Sequence, residues 1–454
     1  MATEHPSAVE ADESIWSEVD DPLEATPPRP PRSPRPFGLA IAPFVVLGLG
    51  VRLAYAIWWR FDEGLLYDGP VYAARARFLR GGLGFLDPDA WYFHGRQSPG
   101  AVHPPGNAVL LAIGQQLGLD TTRQSQLLGC LVGTVTIVLV ALLARQVGGR
   151  RAGVLAAAIV AVHPGFWSFD PTAMAETPGQ LLTAVVLLLA YRFWRTPTIA
   201  WAAWLGGATA VAALTRSELS LLFVTLVLPI CFVAPGTGRQ AARRIGAATL
   251  WFAVGLAPWV GWNVVRYEHP VLLASGIDLS LAYAQCDETW YGPNTGYWNL
   301  FCADGINRAN EGEMVDESEL GRQYRAQAGS YIADHRGRWP VVIAARAART
   351  LSVYPPQTQI DGEDERESRE RPVLWAATIA TWSSYALAVV AFVRPPRSRR
   401  HLLPLLAPLG AGVAGAMITF GTSRYRSAGE VGLVVLAAIG LAALRRRDRE
   451  AEAA

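Results

Sequence analysis

The sequence contains no lysine, so all 40 of its basic side chains are arginines. A chain without lysine has neither a Walker-type phosphate loop nor an amine that forms a Schiff base with a substrate. Charged residues are also scarce, at 17% of the chain, whereas soluble domains normally carry about 25%. Because the formal net charge is only +2, the composition gives no reason to expect a nucleic-acid partner.

Apolar residues take the place of the missing charges and make up 51% of the chain. They gather in runs, several of which approach the roughly 20 residues that an α-helix needs to cross a bilayer. We therefore predict an all-α polytopic membrane protein. The runs cover residues 38–60, 105–118, 124–144, 151–168, 178–194, 198–214, 219–234, 245–265, 373–393, 402–420 and 428–444.

Arginines between the runs indicate their orientation, because short cytoplasmic loops of membrane proteins are enriched in basic residues. If every run crossed the membrane, the arginines at 145–151 would lie outside, against this rule. The run 105–118 is the weakest span, since it is short, starts at a double proline and contains two glutamines. If the run 105–118 is a juxtamembrane or re-entrant helix, the arginines at 145–151 lie in the cytoplasm. About ten spans then remain, and both termini lie in the cytoplasm.

This topology divides the chain into a core, an outer loop region and two tails. The N-terminal tail is polar and proline-rich, so we expect it to be disordered. Within the outer loop region, the apolar stretch 339–353 contains two arginines and is expected to lie on the membrane interface rather than cross. The predicted parts are a cytoplasmic tail 1–37, a transmembrane core 38–266 with a first outer loop 61–123, an outer loop region 267–371, C-terminal spans 372–444 and a cytoplasmic tail 445–454.

The cysteines fall into two pairs. Cys130 and Cys231 lie inside apolar runs and are expected to be ordinary buried side chains. Cys286 and Cys302 lie in the outer loop region, which would face an oxidising compartment where disulfides persist. A disulfide between them would contribute roughly 3 kcal/mol by restricting the unfolded chain; two free thiols are the alternative.

Two carboxylates stand at the outer ends of predicted spans. Asp68 follows the first span, and partial desolvation there would raise its pKa towards neutrality, as suits a general base. Its alternative role is to cap the helix that follows. Glu176 begins a span at the positive end of the helix dipole, where helix capping is a sufficient explanation; the alternative is a second carboxylate that orients the acceptor or a metal.

Cations also collect at the outer ends. His103 precedes a helix start set by two prolines, where it would hold an anion or donate a proton; an ordinary surface residue is the alternative. Arg216, Arg266 and Arg424 oppose the usual charge bias, and arginine suits phosphate because it forms paired hydrogen bonds. A simple ion pair with Glu218 is the alternative for Arg216. We find no spacing typical of a zinc site.

Taken in order, six short pieces of the sequence resemble the C-type (GT-C) membrane glycosyltransferases, the superfamily of protein O-mannosyltransferases and the lipid A aminoarabinose transferase. Each piece is weak alone, but their order and common membrane side make the set fairly specific. The loop that contains the outer cysteines is similar to that of actinobacterial members. The pieces are Asp68-Gly69-Pro70-Val71-Tyr72, His103-Pro104-Pro105-Gly106, Met174-Ala175-Glu176-Thr177-Pro178, Leu214-Thr215-Arg216-Ser217-Glu218, Pro258-Trp259 through Asn263 to Arg266-Tyr267, and Ser423-Arg424-Tyr425-Arg426.

The resemblance implies a GT-C fold and transfer of a sugar from a polyprenyl-phosphate donor to an acceptor hydroxyl outside the cell membrane. Asp68 would then be the base that deprotonates the acceptor, and Glu176 the second acidic residue of the site. Cations would stabilise the charge that develops on the departing phosphate. The residues implied for substrate binding are Tyr72, His103, Arg216, Arg266 and Arg424.

Two positions depart from the family pattern. Trp262 precedes Asn263 where the family often has an arginine, which puts the role of Arg266 in doubt. Gly69 follows Asp68 where a second acid would support a metal site. No cofactor is therefore certain, and a divalent metal stays an open alternative.

We interpret the sequence as a hexosyl- or pentosyltransferase of the cell membrane, with its active site outside. Its partners would be the polyprenyl-phosphate sugar donor, membrane lipids and a glycan, lipid or protein acceptor of the cell envelope, with the outer loop region as a lid or recognition element. The alternatives are a lipid or glycan flippase and a membrane protein without catalysis.

Overall fold

A computed structural model describes residues 36–313 and 315–452. In this part of the chain the structure is helical and has no strand, with a single isolated β-bridge between Leu86 and Pro99. The predicted all-α polytopic class is therefore confirmed. Almost all of the predicted disordered tail 1–37, and the end of the tail 445–454, lie outside the described residues.

The helices follow the apolar runs and the proline and glycine breaks between them. α1 continues through one π-helical turn, Ala56–Arg60, which ends at the first outer loop. The α-helices are α1 Phe37–Tyr55, α2 Gly69–Arg80, α3 Pro88–His94, α4 Gly106–Gln116, α5 Thr122–Gly148, α6 Arg150–Val162, α7 Pro164–Trp167, α8 Glu176–Arg195, α9 Ile199–Ala213, α10 Leu228–Val233, α11 Gly238–Arg266, α12 Gly276–Ala282, α13 Asp287–Trp290, α14 Asp304–Ala309, α15 Glu317–Asp334, α16 Trp339–Thr350, α17 Pro356–Glu367, α18 Arg371–Val393, α19 Ala407–Ile418 and α20 Ser427–Glu452.

Five segments of the described chain are long and apolar enough to cross a membrane: α1 with its π-helical turn, α5, α11, α18 and the first part of α20. A sixth is formed if α6 and the segment Pro164–Thr172, which bend by 61° at their junction, count as one span. The remaining predicted spans coincide with α8 and with shorter apolar helices, so the figure of ten spans stays a prediction. α4 is 11 residues long, about 17 Å, and is too short to cross the hydrocarbon layer.

Close packing of the spans depends on small residues. A side chain at Gly206 of α9 would come within 2.1 Å of the Ala248 carbonyl oxygen of α11. A side chain at Gly440 of α20 would come within 2.0 Å of the Leu387 carbonyl oxygen of α18. Such contacts allow helix backbones to approach closely where the hydrophobic effect between helices is weak.

One ion pair is completely buried in the core. The Arg52 Nε atom of α1 lies 2.6 Å from an Asp170 oxygen, and neither side chain is exposed. Asp170 also accepts a hydrogen bond of 2.7 Å from the Thr177 hydroxyl, at the start of α8. Removing either charge would leave its partner buried and uncompensated. This pair therefore fixes the segment that leads to Glu176.

The outer loop region folds as a layer of helices, α12 to α17. The structure joins Cys286 and Cys302 by a disulfide. Glu317 at the start of α15 accepts hydrogen bonds from the Ala101 backbone N–H at 2.8 Å and from the Ser275 hydroxyl at 2.6 Å. The layer is therefore attached to the first outer loop, 61–123.

The two arginines of α16 are buried and bind backbone carbonyls. Arg346 donates to the Ala284 oxygen at 2.8 Å, and Arg349 donates to the Thr295 oxygen at 2.7 Å. Both acceptors belong to the loop around the disulfide. Arg346 and Arg349, the reason for predicting that this stretch does not cross the membrane, thus connect α16 to the rest of the loop layer.

Candidate functional site

Three segments that are distant in the sequence meet at one guanidinium group. Arg424 lies in the 3-10 turn Ser423–Arg426, directly before α20. Its Nη2 atom lies 2.8 Å from the Asp68 Oδ2 atom, at the start of α2. Its Nε atom lies 2.8 Å from the Glu176 Oε1 atom, at the start of α8. Both predicted catalytic carboxylates therefore share one cation.

A second arginine extends this cluster. The Arg216 Nη1 atom lies 2.6 Å from the same Glu176 oxygen, and Arg216 Nε lies 2.5 Å from Glu218. Glu176 is fully buried, so its charge depends on the two guanidinium groups that hold it. The predicted Arg216–Glu218 ion pair is present, but Arg216 also contacts the central carboxylate. Acids and arginines alternate along the whole cluster.

His103 and Tyr72 lie on the other side of Asp68. The His103 Nε2 atom is 3.6 Å from the Asp68 Oδ1 atom, which is an electrostatic contact and longer than a hydrogen bond. The Tyr72 and His103 rings lie 4.8 Å apart. Tyr67 adopts the left-handed conformation, with φ at 57°, and its ring lies 5.1 Å from the Arg424 guanidinium carbon. The backbone before Asp68 is therefore strained, as is common at functional sites.

The expectation of a raised Asp68 pKa is wrong. Burial raises the pKa of this carboxyl, but the charges of His103 and Arg424 lower it below its ordinary value. Burial lowers the pKa of His103 to about 4, so the imidazole is neutral at pH 7. Arg424 is therefore the cation that keeps Asp68 ionised at neutral pH.

The cluster lies at a cavity of about 780 Å³, a size typical of sites for organic ligands. The lining contains most of the charged groups of the cluster, and the outer loop region adds mainly aromatic and apolar side chains together with Glu365 and Arg366. Such a cavity suits a ligand with one charged part and a large apolar part. Its lining includes Tyr67, Asp68, Tyr72, His103, Arg216, Glu218, Tyr283, Trp298, Phe301, Arg366, Phe420, Arg424 and Tyr425.

Arg266 is the predicted binding residue that the structure does not bring to this cluster. It donates to the Phe85 carbonyl oxygen at 2.9 Å and to the Asn263 side chain at 2.8 Å. Its guanidinium carbon also lies 5.3 to 5.6 Å from three aromatic ring centroids, those of Trp259, Trp262 and Tyr267. These contacts join the end of α11 to the first outer loop.

Sequence reasoning missed the contribution of α17. Glu363 accepts hydrogen bonds from the Ser423 backbone N–H at 3.0 Å and from the Ser423 hydroxyl at 2.7 Å. Arg369 lies 2.8 Å from the same carboxylate. These contacts hold the turn that presents Arg424. Residues 361–370 mix acids with arginines, and this mixture is the one signal in the sequence that could have suggested paired charges here.

Glu367, on the same helix, should make stability depend on pH. Burial raises the pKa of this carboxyl to about 8, whereas the unfolded chain would have an ordinary glutamate pKa of about 4.3. The folded state therefore binds one more proton between these values. The resulting stabilisation is complete below pH 4 and is lost as the pH rises through 8.

We expect the free energy of unfolding to fall by on the order of a few kcal/mol between about pH 5 and 9 through this group. Glu367→Gln should flatten that dependence, because glutamine does not titrate. Thermal unfolding at several pH values checks this, with Glu365→Gln as the control because Glu365 is exposed. Equal slopes in the wild type and Glu367→Gln would contradict the assignment.

The carboxylates of the site do not gather as a set of metal ligands. Among the described residues, the one group of three close potential ligands is Cys286, Glu288 and Cys302, and its two sulfurs are joined in the disulfide. At the cavity, arginines bind one oxygen each of Asp68 and Glu176. This donor set does not fit a metal ion.

Part of the chain is similar in sequence to known glycosyltransferases. Residues 102–262 match the model of a family described as dolichyl-phosphate-mannose-protein mannosyltransferase. Over 226 residues the chain is 25% identical to the dolichyl-diphosphooligosaccharide–protein glycosyltransferase subunit STT3 of Saccharomyces cerevisiae, a match that covers 45% of this chain and 30% of that protein.

Two structures of the oligosaccharyltransferase of Archaeoglobus fulgidus are similar in fold. The one tethered with an acceptor peptide is 14% identical with a TM-score of 0.56, covering 90% of this chain and 50% of that one. The one in complex with an inhibitory peptide and a dolichol-phosphate is 13% identical with a TM-score of 0.50, covering 92% and 51%. The chain thus spans about half the length of these structures.

These matches confirm the predicted resemblance to the GT-C superfamily. At such low identity the structural likeness shows the fold alone. The chain is accordingly a multi-pass membrane protein with a GT-C fold.

Proposed function

We propose that this chain is a membrane glycosyltransferase that transfers a sugar from a polyprenyl-phosphate-linked donor to a cell-envelope acceptor. The observation that carries the proposal is that Asp68 and Arg424 pair at the wall of one large cavity, while the buried Glu176 holds Arg424 from behind. It offers a base and cations to a single substrate. The matched family model and the fold agree with this chemistry, and one structure similar in fold is in complex with a dolichol-phosphate.

Asp68 is proposed as the base. Arg424 binds its Oδ2 atom, whereas the Oδ1 atom faces His103 at 3.6 Å without a hydrogen bond. Oδ1 is therefore available to an acceptor hydroxyl. Glycosyl transfer proceeds through an oxocarbenium-like transition state, and the hydroxyl becomes strongly acidic as its oxygen bonds to the sugar. A carboxylate with a lowered pKa can then accept the proton.

Arg424 and Arg216 are proposed to hold the donor phosphate. Each keeps one amino group, Nη1 of Arg424 and Nη2 of Arg216, that hydrogen-bonds no residue in the part of the chain that the structure describes. Charge grows on the phosphate as the bond to the sugar breaks. Cations already held in place by Glu176 stabilise that charge without reorganisation.

The cavity is proposed to face the outside of the cell membrane, with both termini in the cytoplasm. The support is the arginine distribution, since the clusters at 145–151, 239–244 and 445–449 lie between or after spans at the opposite helix ends. We propose a hexose or a pentose as the transferred sugar and a glycan, lipid or protein as the acceptor.

Transfer in proteoliposomes tests this function. Purified protein is supplied with a polyprenyl-phosphate donor labelled in its sugar and with cell-envelope acceptor. We expect sugar to appear on the acceptor and polyprenyl phosphate to be released. Movement of intact donor between leaflets without loss of the sugar would instead indicate a flippase and would overturn the proposal.

Glu363 should act as a positioning residue for this reaction, because it binds the turn that carries Arg424. We expect Glu363→Ala to lower kcat on the order of a hundredfold, as a displacement of about 1 Å can do, with a smaller change in KM. Steady-state kinetics measure both constants. Asp361→Asn, on the same helix and more exposed, is the control. Unchanged kcat in Glu363→Ala would show that the turn holds Arg424 without α17.

A further inference from the structure

A second cavity lies at the opposite end of the membrane-spanning helices. It measures about 360 Å³ and is lined by residues of α6 and of the last part of α20. α20 begins beside Arg424, and the 19 residues from Ser427 to Arg445 rise by about 27 Å from first to last. That distance is close to the thickness of the hydrocarbon core, roughly 30 Å. This cavity and the candidate active site are therefore at opposite membrane surfaces.

Arginines from two distant parts of the sequence meet at this second cavity. Arg150 and Arg151 begin α6, and Arg445 lies on α20. The junction of α5 and α6 packs tightly against α20, since a side chain at Gly148, the last residue of α5, would come within 2.5 Å of Ile439. The sequence showed two separate basic clusters, and only the fold makes them neighbours.

The second cavity favours an anion. Arg151 and Arg445 form no ion pair with any residue that the structure describes, and Arg150 packs at 5.9 Å from the Phe37 ring. The positive end of the α6 dipole points to the same place. Arg151 and Arg445 line the same cavity, so an anion bound there would be attracted by both charges.

The remaining lining residues are apolar and indicate a lipid. Val154 and Leu155 of α6 and Ala442 of α20 continue the cavity from the arginines towards the membrane interior. A phospholipid presents this same order, with a phosphate at the surface and hydrocarbon beneath it. Basic pockets between helix ends are known to bind such headgroups. A free phosphate would leave the apolar part of the cavity unused.

We propose that the ends of α6 and α20 bind the headgroup of an anionic phospholipid. The binding site is independent of the proposed transfer reaction, because none of its residues lines the candidate active-site cavity. The lipid would hold two core helices together at the membrane surface away from the active site.

Binding to the purified full-length chain in mixed micelles tests the proposal. The probes are phosphatidylglycerol, phosphatidylcholine and inorganic phosphate, and the measurement is the unfolding temperature across a titration of each. We expect phosphatidylglycerol to raise the unfolding temperature at concentrations where the other two do not. The double variant Arg151→Gln/Arg445→Gln should weaken its apparent affinity roughly thirtyfold, since each arginine contributes about 1 kcal/mol.

Arg239→Gln/Arg243→Gln is the matched control, because both arginines are exposed at the start of α11 and outside the cavity. It should keep an affinity within about twofold of the wild type. Equal affinity in the cavity variant and in the control would overturn the proposal. An equal response to inorganic phosphate, lost in the cavity variant, would also overturn it and indicate a site for free phosphate.

Discussion

Asp68→Asn is expected to lower the rate of sugar transfer about a thousandfold, within the range known for the loss of a general base. Asparagine has nearly the same size and can still accept the hydrogen bond from Arg424, which is 2.8 Å long in the native site. It cannot take a proton from the acceptor hydroxyl. The initial rate of label transfer in proteoliposomes measures the loss, and thermal unfolding shows whether the fold is kept.

Asp62→Asn is the matched control for this prediction. Asp62 lies in the same outer loop, its side chain is 92% exposed, and its contact with Arg123 is 3.4 Å long. It should transfer sugar at the native rate, since exposed pairs of this kind contribute little. If Asp68→Asn retained most of the native rate while donor binding was unchanged, Asp68 would not be the base.

Arg424→Gln is expected to abolish transfer and to lower the free energy of unfolding by about 3 kcal/mol. The charges of Asp68 and Glu176 are both compensated by this guanidinium. Arg216 contacts Glu176 but not Asp68, so it can compensate only one of them. Without Arg424, the negative charges of Asp68 and Glu176 would remain close together and would be only partly compensated. Thermal unfolding and the transfer assay measure the two effects separately.

Adding Glu176→Gln to Arg424→Gln separates charge compensation from catalysis. The double variant should recover part of the lost stability, because one buried negative charge is gone, but it should stay inactive without the phosphate-binding cation. Arg80→Gln, whose side chain is 43% exposed, controls for the loss of any arginine. Recovery of transfer in the double variant would contradict the role of Arg424 in the reaction.

Two different features of the sequence predicted the helical architecture and the charged cluster of the candidate site. Long apolar runs leave few alternatives to membrane helices, so α1, α5, α11, α18 and α20 could be expected. Asp68, Glu176, Arg216 and Arg424 were singled out because charges at span ends are costly unless they are used. The structure brings these four side chains together as one cluster.

Features that depend on distant partners could not be predicted. The lowered pKa of Asp68 follows from the charge of His103 and from a guanidinium 356 residues away, so local desolvation alone predicted the wrong direction. Arg266 ends a span as Arg424 does, yet its side chain turns to the Phe85 carbonyl. Glu363 occurs in a charged stretch that looks solvated, and only the packing of α17 against the Ser423 turn buries it.

The central claim is that one cavity holds the donor phosphate beside Asp68. Its most direct test is a cryo-EM structure of the purified protein with a non-cleavable polyprenyl-phosphonate sugar analogue. The account predicts phosphonate density within hydrogen-bonding distance of Arg424 or Arg216, with the sugar beside Asp68. Density for the phosphonate elsewhere, for example only between Arg151 and Arg445, would contradict it.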